Sequence, residues 1–204
     1  MARTGRTMIL LCLLLATACA AAPSAEARQR TFSSGNLNLT IPDAAGVQSF
    51  PISAPIHVKA RGKIKDVNVA VRISIPEDRD LELAIEGPIG RTGGFAFAQL
   101  KNHGFLNSPK GPDFGSGPAT CTGASTVFDD QAATSILQGQ PPFAGSFIPE
   151  EPLRPLKRGR LAGKWTLDLL DFFPGSLGGP PSGAPGVLHC WSLTITYKPQ
   201  KRKK

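Results

Sequence analysis

Apolar and polar residues alternate along residues 64–75, where every second position from Val67 onwards is apolar. A period of two predicts a β-strand with one buried face and one solvated face. Pro76 ends this strand, because proline lacks the amide proton that a strand ladder needs. A second alternating run, residues 81–85, follows a short acidic turn and stops at Gly87. Two alternating runs joined by a short polar turn predict a β-hairpin, around which we expect the rest of the chain to be arranged.

The same alternation recurs in shorter runs, which are separated by segments rich in glycine and proline. Pro51 and Pro55 interrupt one of them and indicate a strand at the edge of a sheet. These shorter runs predict strands over residues 36–41, 49–58, 90–100, 164–171 and 187–197.

No segment has the pattern of a long helix, and residues 131–137 are expected to form at most one helical turn. Long loops rich in glycine and proline are predicted at residues 101–125 and 172–186. The chain has 19 proline and 22 glycine residues, mostly between about eight short strands. This pattern predicts an all-β fold, an antiparallel β-sandwich or jelly roll in one domain.

The first 27 residues have the pattern of a secretory signal peptide. Arg3 and Arg6 precede an apolar run over residues 8–18, which is about half the length that a membrane-spanning helix needs. Cleavage is expected after the triplet 25–27, with an earlier cut near residues 20–22 as the alternative. We therefore expect a secreted protein, extracellular or periplasmic.

Residues 15–19 also form a loose version of a bacterial lipobox, with the leucine one position too far from Cys19. In this alternative Cys19 carries a lipid that anchors the protein to a membrane. Downstream of either cleavage site, the polar residues 28–36 are predicted to be a flexible segment.

The net charge of the chain is +8, and five of its lysine and arginine residues lie in the C-terminal tail, residues 198–204. The rest of the mature chain is only weakly basic, which argues against a nucleic-acid-binding face. The tail is expected either to be solvated or to contact anionic lipid or cell-wall polymer.

Two cysteines, Cys121 and Cys190, lie downstream of the signal peptide. In an exported protein such a pair predicts a disulfide rather than two free thiols. Closing a loop of that length contributes about 4 kcal/mol in the chain-entropy model. Two cysteines cannot complete a structural zinc site, and the three histidines are far apart in the sequence.

Acidic residues crowd two predicted turns, and paired carboxylates with loop carbonyls are the ligands that calcium prefers. The alternative is that aspartates at these turns cap them by accepting backbone N–H bonds. No cofactor other than calcium is indicated, and no segment has the spacing of an EF-hand. The candidate calcium ligands are Asp78, Asp80, Asp129, Asp130 and Asp171.

A serine-protease triad is not indicated by the sequence. The histidines are His57, His103 and His189, and no Gly-x-Ser-x-Gly nucleophile motif is present. His57 and His189 lie inside strand patterns, where a packed or surface imidazole is expected. Trp165 and Trp191 fall on the apolar faces of predicted strands, so we expect them in the core rather than on a ligand platform.

A series of short motifs in fixed order covers most of the mature chain. They are IPD at 41–43, IKDVNV at 64–69, DL at 80–81, GPIG at 87–90, VFDD at 127–130 with Ala132, PFAGSFIPE at 142–150, LAGKWTL at 161–167 with Asp171, and GVLHCWSL at 186–193. Together they resemble the P domain (P/Homo B domain) of subtilisin-like proprotein convertases, over residues 37–197.

The resemblance implies a galactose-binding-like jelly-roll sandwich, which in convertases follows the protease domain and supports its folding and stability. Three departures are visible. Ile75 stands where the family usually has a histidine, the loops at 101–125 and 172–186 are longer than usual, and no segment of this sequence resembles the protease domain.

From the sequence we therefore expect a non-catalytic secreted module that stabilises or binds a protease, another exported protein or a cell-envelope component. An alternative is an accessory component of a serine-type endopeptidase system that acts only with a separate catalytic chain. Intrinsic hydrolase activity from loop residues is a third hypothesis.

Overall fold

A computed structural model of the chain describes residues 26–43, 51–90, 96–104, 111–172 and 185–200. The predicted signal peptide up to residue 25, including Cys19, and the last four residues of the basic tail lie outside this part. The described residues form ten strands: β1 Arg28–Ser33, β2 Leu39–Ile41, β3 Ile52–Val58, β4 Gly62–Ser74, β5 Leu81–Gly87, β6 Ala96–Lys101, β7 Thr126–Phe128, β8 Gly145–Phe147, β9 Gly163–Asp171 and β10 Gly186–Pro199.

The strands form a β-sandwich of two sheets. The six-stranded sheet has the order β1-β10-β4-β7-β8, with β2 also paired to β10, and the four-stranded sheet has the order β3-β9-β5-β6. All strand pairs are antiparallel except β7 and β8, which are parallel. The predicted all-β sandwich is therefore confirmed, with ten described strands where the sequence indicated about eight.

Among the described residues, three short 3₁₀ helices connect strands, at Asp78–Asp80, Ile136–Gln138 and Arg154–Arg158. The second of them corresponds to the single helical turn predicted at residues 131–137, displaced toward the C-terminus. In the described part of the chain, no helix is long and apolar enough to cross a membrane.

Alternate side chains of the long strands form the core between the two sheets. Trp165, Leu167 and Leu169 on β9 belong to the same buried hydrophobic cluster as Trp191 on β10, and both tryptophans are at most 1% exposed. Burying one large apolar side chain contributes roughly 1.5–3 kcal/mol. Both tryptophans are thus core residues, as the strand pattern predicted, and not a ligand platform.

The β-hairpin predicted from residues 64–75 and 81–85 is wrong. These residues form β4 and β5, but β4 pairs with β10 and β7 in one sheet, whereas β5 pairs with β6 and β9 in the other. The 3₁₀ helix Asp78–Asp80 carries the chain from sheet to sheet, and its three residues are buried. Alternation shows which face of each strand is buried. Two strands give the same pattern whether they pair in one sheet or lie in opposite sheets, so alternation could not distinguish a hairpin from the observed arrangement.

Residues 28–36 are not the flexible segment that their polarity predicted, because they begin with strand β1. All six residues of β1 pair with β10, from Arg28 opposite Tyr197 to Ser33 opposite Ser192. The strand lies at the edge of its sheet and is mostly exposed, so backbone hydrogen bonds hold it and apolar side chains are not required. The predicted edge position of β3 is confirmed.

Candidate functional site

The acidic turn at Asp78–Asp80 is buried, although its residues are charged. Asp78 has no exposed surface, and its Oδ1 accepts a hydrogen bond of 2.7 Å from the backbone N–H of Gly111. Burial raises the pKa of Asp78 to about 7, against the smaller lowering by this hydrogen bond and by Lys101. Asp78 thus titrates near neutral pH.

The cation that faces this turn is the ammonium of Lys101, which lies at the end of β6 and is 5% exposed. Its Nζ donates to the backbone carbonyls of Leu81 and Asn102, each at 3.0 Å. Burial lowers the pKa of Lys101, whereas the nearby carboxylates of Asp78, Glu150 and Asp80 oppose that shift. An internal ammonium therefore occupies the neighbourhood in which the sequence suggested calcium.

The second acidic pair lies elsewhere, after β7. Asp129 Oδ1 accepts from the N–H of Gln131 at 2.8 Å, and Asp130 Oδ1 accepts from the N–H of Leu153 at 2.7 Å. Lys157 Nζ lies 3.6 Å from Asp130 Oδ2. Both aspartates bind turn N–H groups, which is the capping role that the sequence analysis kept as the alternative to calcium.

The fifth candidate ligand, Asp171, is the last residue of β9. It lies beside the acidic turn Asp78–Asp80, because it pairs with Leu81, the residue that follows this turn. The structure therefore separates the five candidates into one group of three and one of two. Among the residues that the structure describes, no three metal-ligating side chains are grouped so that they could hold a metal ion.

A cleft of about 200 Å³ opens on the outer face of the four-stranded sheet. Ala84 on β5 lies at its centre, because Asp168 on β9 and Gln99 on β6 are its register partners on either side. Glu82 lies two positions along the same strand, and Phe97 is 37% exposed at the rim. The small Ala84 side chain creates the concavity, and its walls combine carboxylates with apolar surface.

Both cleft carboxylates are held in place by neighbours. Ser53 Oγ donates to Asp168 Oδ1, and His103 Nδ1 is hydrogen-bonded to Glu82 Oε1. The His103 ring stacks on Phe172, with ring centroids 3.9 Å apart and planes within 5° of parallel. A cleft with oriented carboxylates and apolar walls suits the aliphatic stem and charged end of a lysine or arginine side chain.

The outer face of the six-stranded sheet carries a different feature, a loop over residues 116–124 that is attached to the sheet. Arg72 on β4 is 3% exposed, and its guanidinium donates to the carbonyls of Thr120, Ala124, Gly117 and Pro118, at 3.3, 2.8, 3.4 and 2.5 Å. Cys121 in the same loop forms the predicted disulfide with Cys190 on β10.

Glycine is required where this loop meets Arg72. Gly115 has a φ of +89°, and a Cβ there would lie 2.3 Å from the Ala124 carbonyl oxygen. A Cβ at Gly123 would lie 2.9 Å from Arg72 Nη2. The glycine-rich composition of the predicted long loop thus lets its backbone approach the guanidinium closely.

Beside this loop, His189 connects two residues that are distant in the sequence. Its Nε2 lies 2.9 Å from Ser74 Oγ, and its Nδ1 lies 3.3 Å from Asn38 Oδ1. Burial, followed by repulsion from Arg72, lowers the pKa of His189, and Asp113 opposes that shift. The imidazole is therefore neutral at neutral pH.

Lys101, Arg72 and the Ser74–His189–Asn38 group were not predicted from the sequence. Arg72 gives no signal of its own, because it occupies one of the polar positions in the alternation of β4. The His189 group carries no sequence signal, because its members are brought together by strand pairing alone.

No protein-family model and no curated protein matches the chain. Among solved structures, it is similar to a chain from the complex of an Aeromonas sobria serine protease and the chaperone, at 15% identity and a TM-score of 0.50, over 88% of this chain and 28% of that one. The Aeromonas sobria serine protease alone matches at 16% identity and a TM-score of 0.47, over 88% and 28%. The VP2 subviral particle of infectious bursal disease virus matches at 14% identity and a TM-score of 0.40, over 93% and 37%.

The first of these three similarities shows the fold alone, because the sequence identity is only 15%. This chain spans less than a third of the length of the Aeromonas sobria chains that it matches.

Proposed function

We propose that the protein is an exported, P-domain-type accessory module that binds and stabilises a partner protein, with a subtilisin-like protease as the first candidate partner. The order of the motifs over residues 37–197 supports the domain type. A similar fold covers 28% of a chain in the complex of an Aeromonas sobria serine protease and the chaperone. The occurrence of such a fold in a protease–chaperone complex is the reason for choosing a protease as the first candidate partner here.

The observation that carries the proposal is the cleft centred on Ala84. It combines the carboxylates of Glu82 and Asp168 with the exposed ring of Phe97 on the outer face of the four-stranded sheet. Charge complementarity then selects a partner segment that presents a lysine or arginine side chain beside apolar residues. Aromatic residues such as Phe97 are enriched at protein interfaces, and an arginine supplied by the partner is of the kind that dominates their binding energy.

The test uses the mature chain and a secreted subtilisin-like protease of the same organism. Binding is measured by calorimetry, and stabilisation by the melting temperature of the protease with and without the module. We expect binding in the wild type and its loss in Ala84→Arg, which fills the cleft and brings a positive charge to its carboxylates. Thr196→Arg is the matched control, because Thr196 is also half-buried on an outer sheet face but in the other sheet.

The two variants separate the outcomes. If both bind as the wild type does, the cleft is not the binding surface. If the wild type neither binds the protease nor changes the melting temperature of the protease, the accessory role is wrong. The partner would then be another exported protein or a cell-envelope polymer.

A further inference from the structure

Ser74, His189 and Asn38 form a continuous hydrogen-bonded chain on the outer face of the six-stranded sheet. The imidazole stands between a hydroxyl at 2.9 Å from Nε2 and an amide oxygen at 3.3 Å from Nδ1. A nucleophile within hydrogen-bond reach of a base, which is itself oriented by a third group, is the arrangement that activates serine in acyl transfer. An asparagine orients the catalytic histidine in papain-like proteases, where the nucleophile is a cysteine.

Two backbone irregularities place these side chains together. The register of β10 against β4 shifts between Leu188 and Cys190, so His189 is the extra residue of a β-bulge. Asn38 has a left-handed backbone with φ of +47°, just before β2. Bulges and left-handed residues other than glycine occur preferentially where a side chain is aimed for function.

The position of Asn38 is set by backbone contacts. The N–H of Leu37 donates to the carbonyl of His189 at 2.8 Å, and β2 then pairs with residues 186–188 of β10. Asn38 thus lies between two anchors on the strand that carries His189. The side-chain contact follows from this pairing.

The surroundings of His189 favour its neutral form. Arg72 on β4 and Asp113 in the loop beside β4 are the charged groups that act on it, and burial with Arg72 lowers its pKa. With the Nδ1 proton donated to Asn38 Oδ1, the Nε2 lone pair is directed at the Ser74 hydroxyl. His189 is 6% exposed, whereas Ser74 is half-buried, so solvent reaches the serine rather than the base.

We propose that Ser74 is a reactive nucleophile that accepts an acyl group from activated carboxylic esters, with His189 as its general base and Asn38 as the positioning residue of the imidazole. Ser74 Oγ forms a bond to the ester carbonyl carbon while its proton passes to His189 Nε2. The alkoxide leaves with that proton as an alcohol, and water then releases the acid and restores the serine hydroxyl.

The substrate class follows from the neighbouring N–H group. The N–H of Ile75 already donates to Asp113 Oδ1 at 2.9 Å, so it does not serve as an oxyanion donor in this geometry. Esters with good leaving groups need less stabilisation of the oxyanion than peptides do. This activity is separate from partner binding, which we assign to the opposite sheet.

The test treats the folded mature chain with a fluorophosphonate probe and with p-nitrophenyl acetate, and locates the adduct by peptide mass spectrometry. We expect the adduct on Ser74, no adduct in Ser74→Ala, and labelling slowed about 100-fold in His189→Gln. Ser192→Ala is the matched control, because Ser192 is also a half-buried serine on the outer face of the six-stranded sheet but lies opposite Ala70. It should label as the wild type does.

The pH profile gives a second measurement that does not depend on a variant folding. The labelling rate of the wild type should rise with increasing pH, with a midpoint below pH 6.5, and then stay level. The reason is that the pKa of His189 is lowered from its ordinary value of 6.5. An adduct on other residues only, or a rate on Ser74 that is unchanged in His189→Gln, overturns the proposal and leaves the three residues a structural hydrogen-bond group.

Discussion

Arg72 and Cys190 lie directly opposite each other on β4 and β10, and both hold the same loop, residues 116–124. Arg72 binds four carbonyls of the loop, and Cys190 binds its cysteine covalently. The loop is therefore attached to the sheet by one electrostatic and one covalent connection that start from neighbouring positions. Such closely spaced connections are expected to be energetically coupled.

Replacing Arg72 with methionine tests the first connection. Arg72→Met keeps much of the side-chain volume but leaves loop carbonyls without their donor, so we expect a loss of about 2–3 kcal/mol in the free energy of unfolding. Urea unfolding followed by tryptophan fluorescence measures it. Arg28→Met, at an exposed edge-strand position, is the control and should change the free energy by less than about 0.5 kcal/mol. Equal effects of both variants would contradict the role given to Arg72.

Removing the disulfide tests the second connection. Cys121→Ala with Cys190→Ala opens a closed segment with a sequence separation of 69 residues, for which the chain-entropy model gives about 4 kcal/mol. Because Arg72 still holds the loop in the folded state, we expect a loss close to that value and no larger. Combining the variant with Arg72→Met should cost more than the sum of the separate losses. Strict additivity would show that the two connections act independently.

The buried acidic turn predicts how stability depends on pH. The pKa of Asp78 in the folded protein is raised from 3.8 to about 7, so the folded state binds a proton that the unfolded state releases over that interval. The contribution of Asp78 to the free energy of unfolding is thus most favourable below pH 4 and is lost as the pH rises through 7. Asp78→Asn keeps the acceptor for Gly111 and removes the titration. The variant should gain stability relative to the wild type between pH 5 and 8, measured by urea unfolding. A constant difference across that interval would contradict the assignment.

Calcium should not raise the melting temperature of residues 28–204. The Asp129 and Asp130 carboxylates already accept N–H bonds, and the turn at Asp78 faces the Lys101 ammonium. A ligand that binds the native state raises the melting temperature, so calorimetric scans with millimolar calcium or a chelator decide the question. Magnesium at equal ionic strength is the control. A rise specific to calcium would restore the aspartates as ligands.

The strands, their buried faces and the disulfide were predictable from the sequence, because alternation and an isolated cysteine pair are local signals. β1 escaped prediction since an edge strand held by backbone pairing needs no apolar pattern. The assignment of β4 and β5 to different sheets also escaped, because the acidic turn between them gives no sign of being buried.

The candidate site was predictable only in part. Asp78 and Asp80 were recognised as an unusual turn, but Lys101 lies about 20 residues away and its burial depends on the pairing of β5 with β6. Ser74, His189 and Asn38 meet through a bulge and a short strand, whose positions depend on tertiary packing. Local sequence patterns do not report either kind of contact.

The pairing of β1 with β10 brings the beginning and the end of the described chain together in one sheet. Since β10 also separates β1 from β4, the six-stranded sheet lacks its centre until Gly186–Pro199 have been synthesised. Folding of this sheet is therefore expected to wait for those residues, and contacts of such long sequence separation make it slow. If the export that we propose takes place, this late closure would keep the polypeptide unfolded through transit.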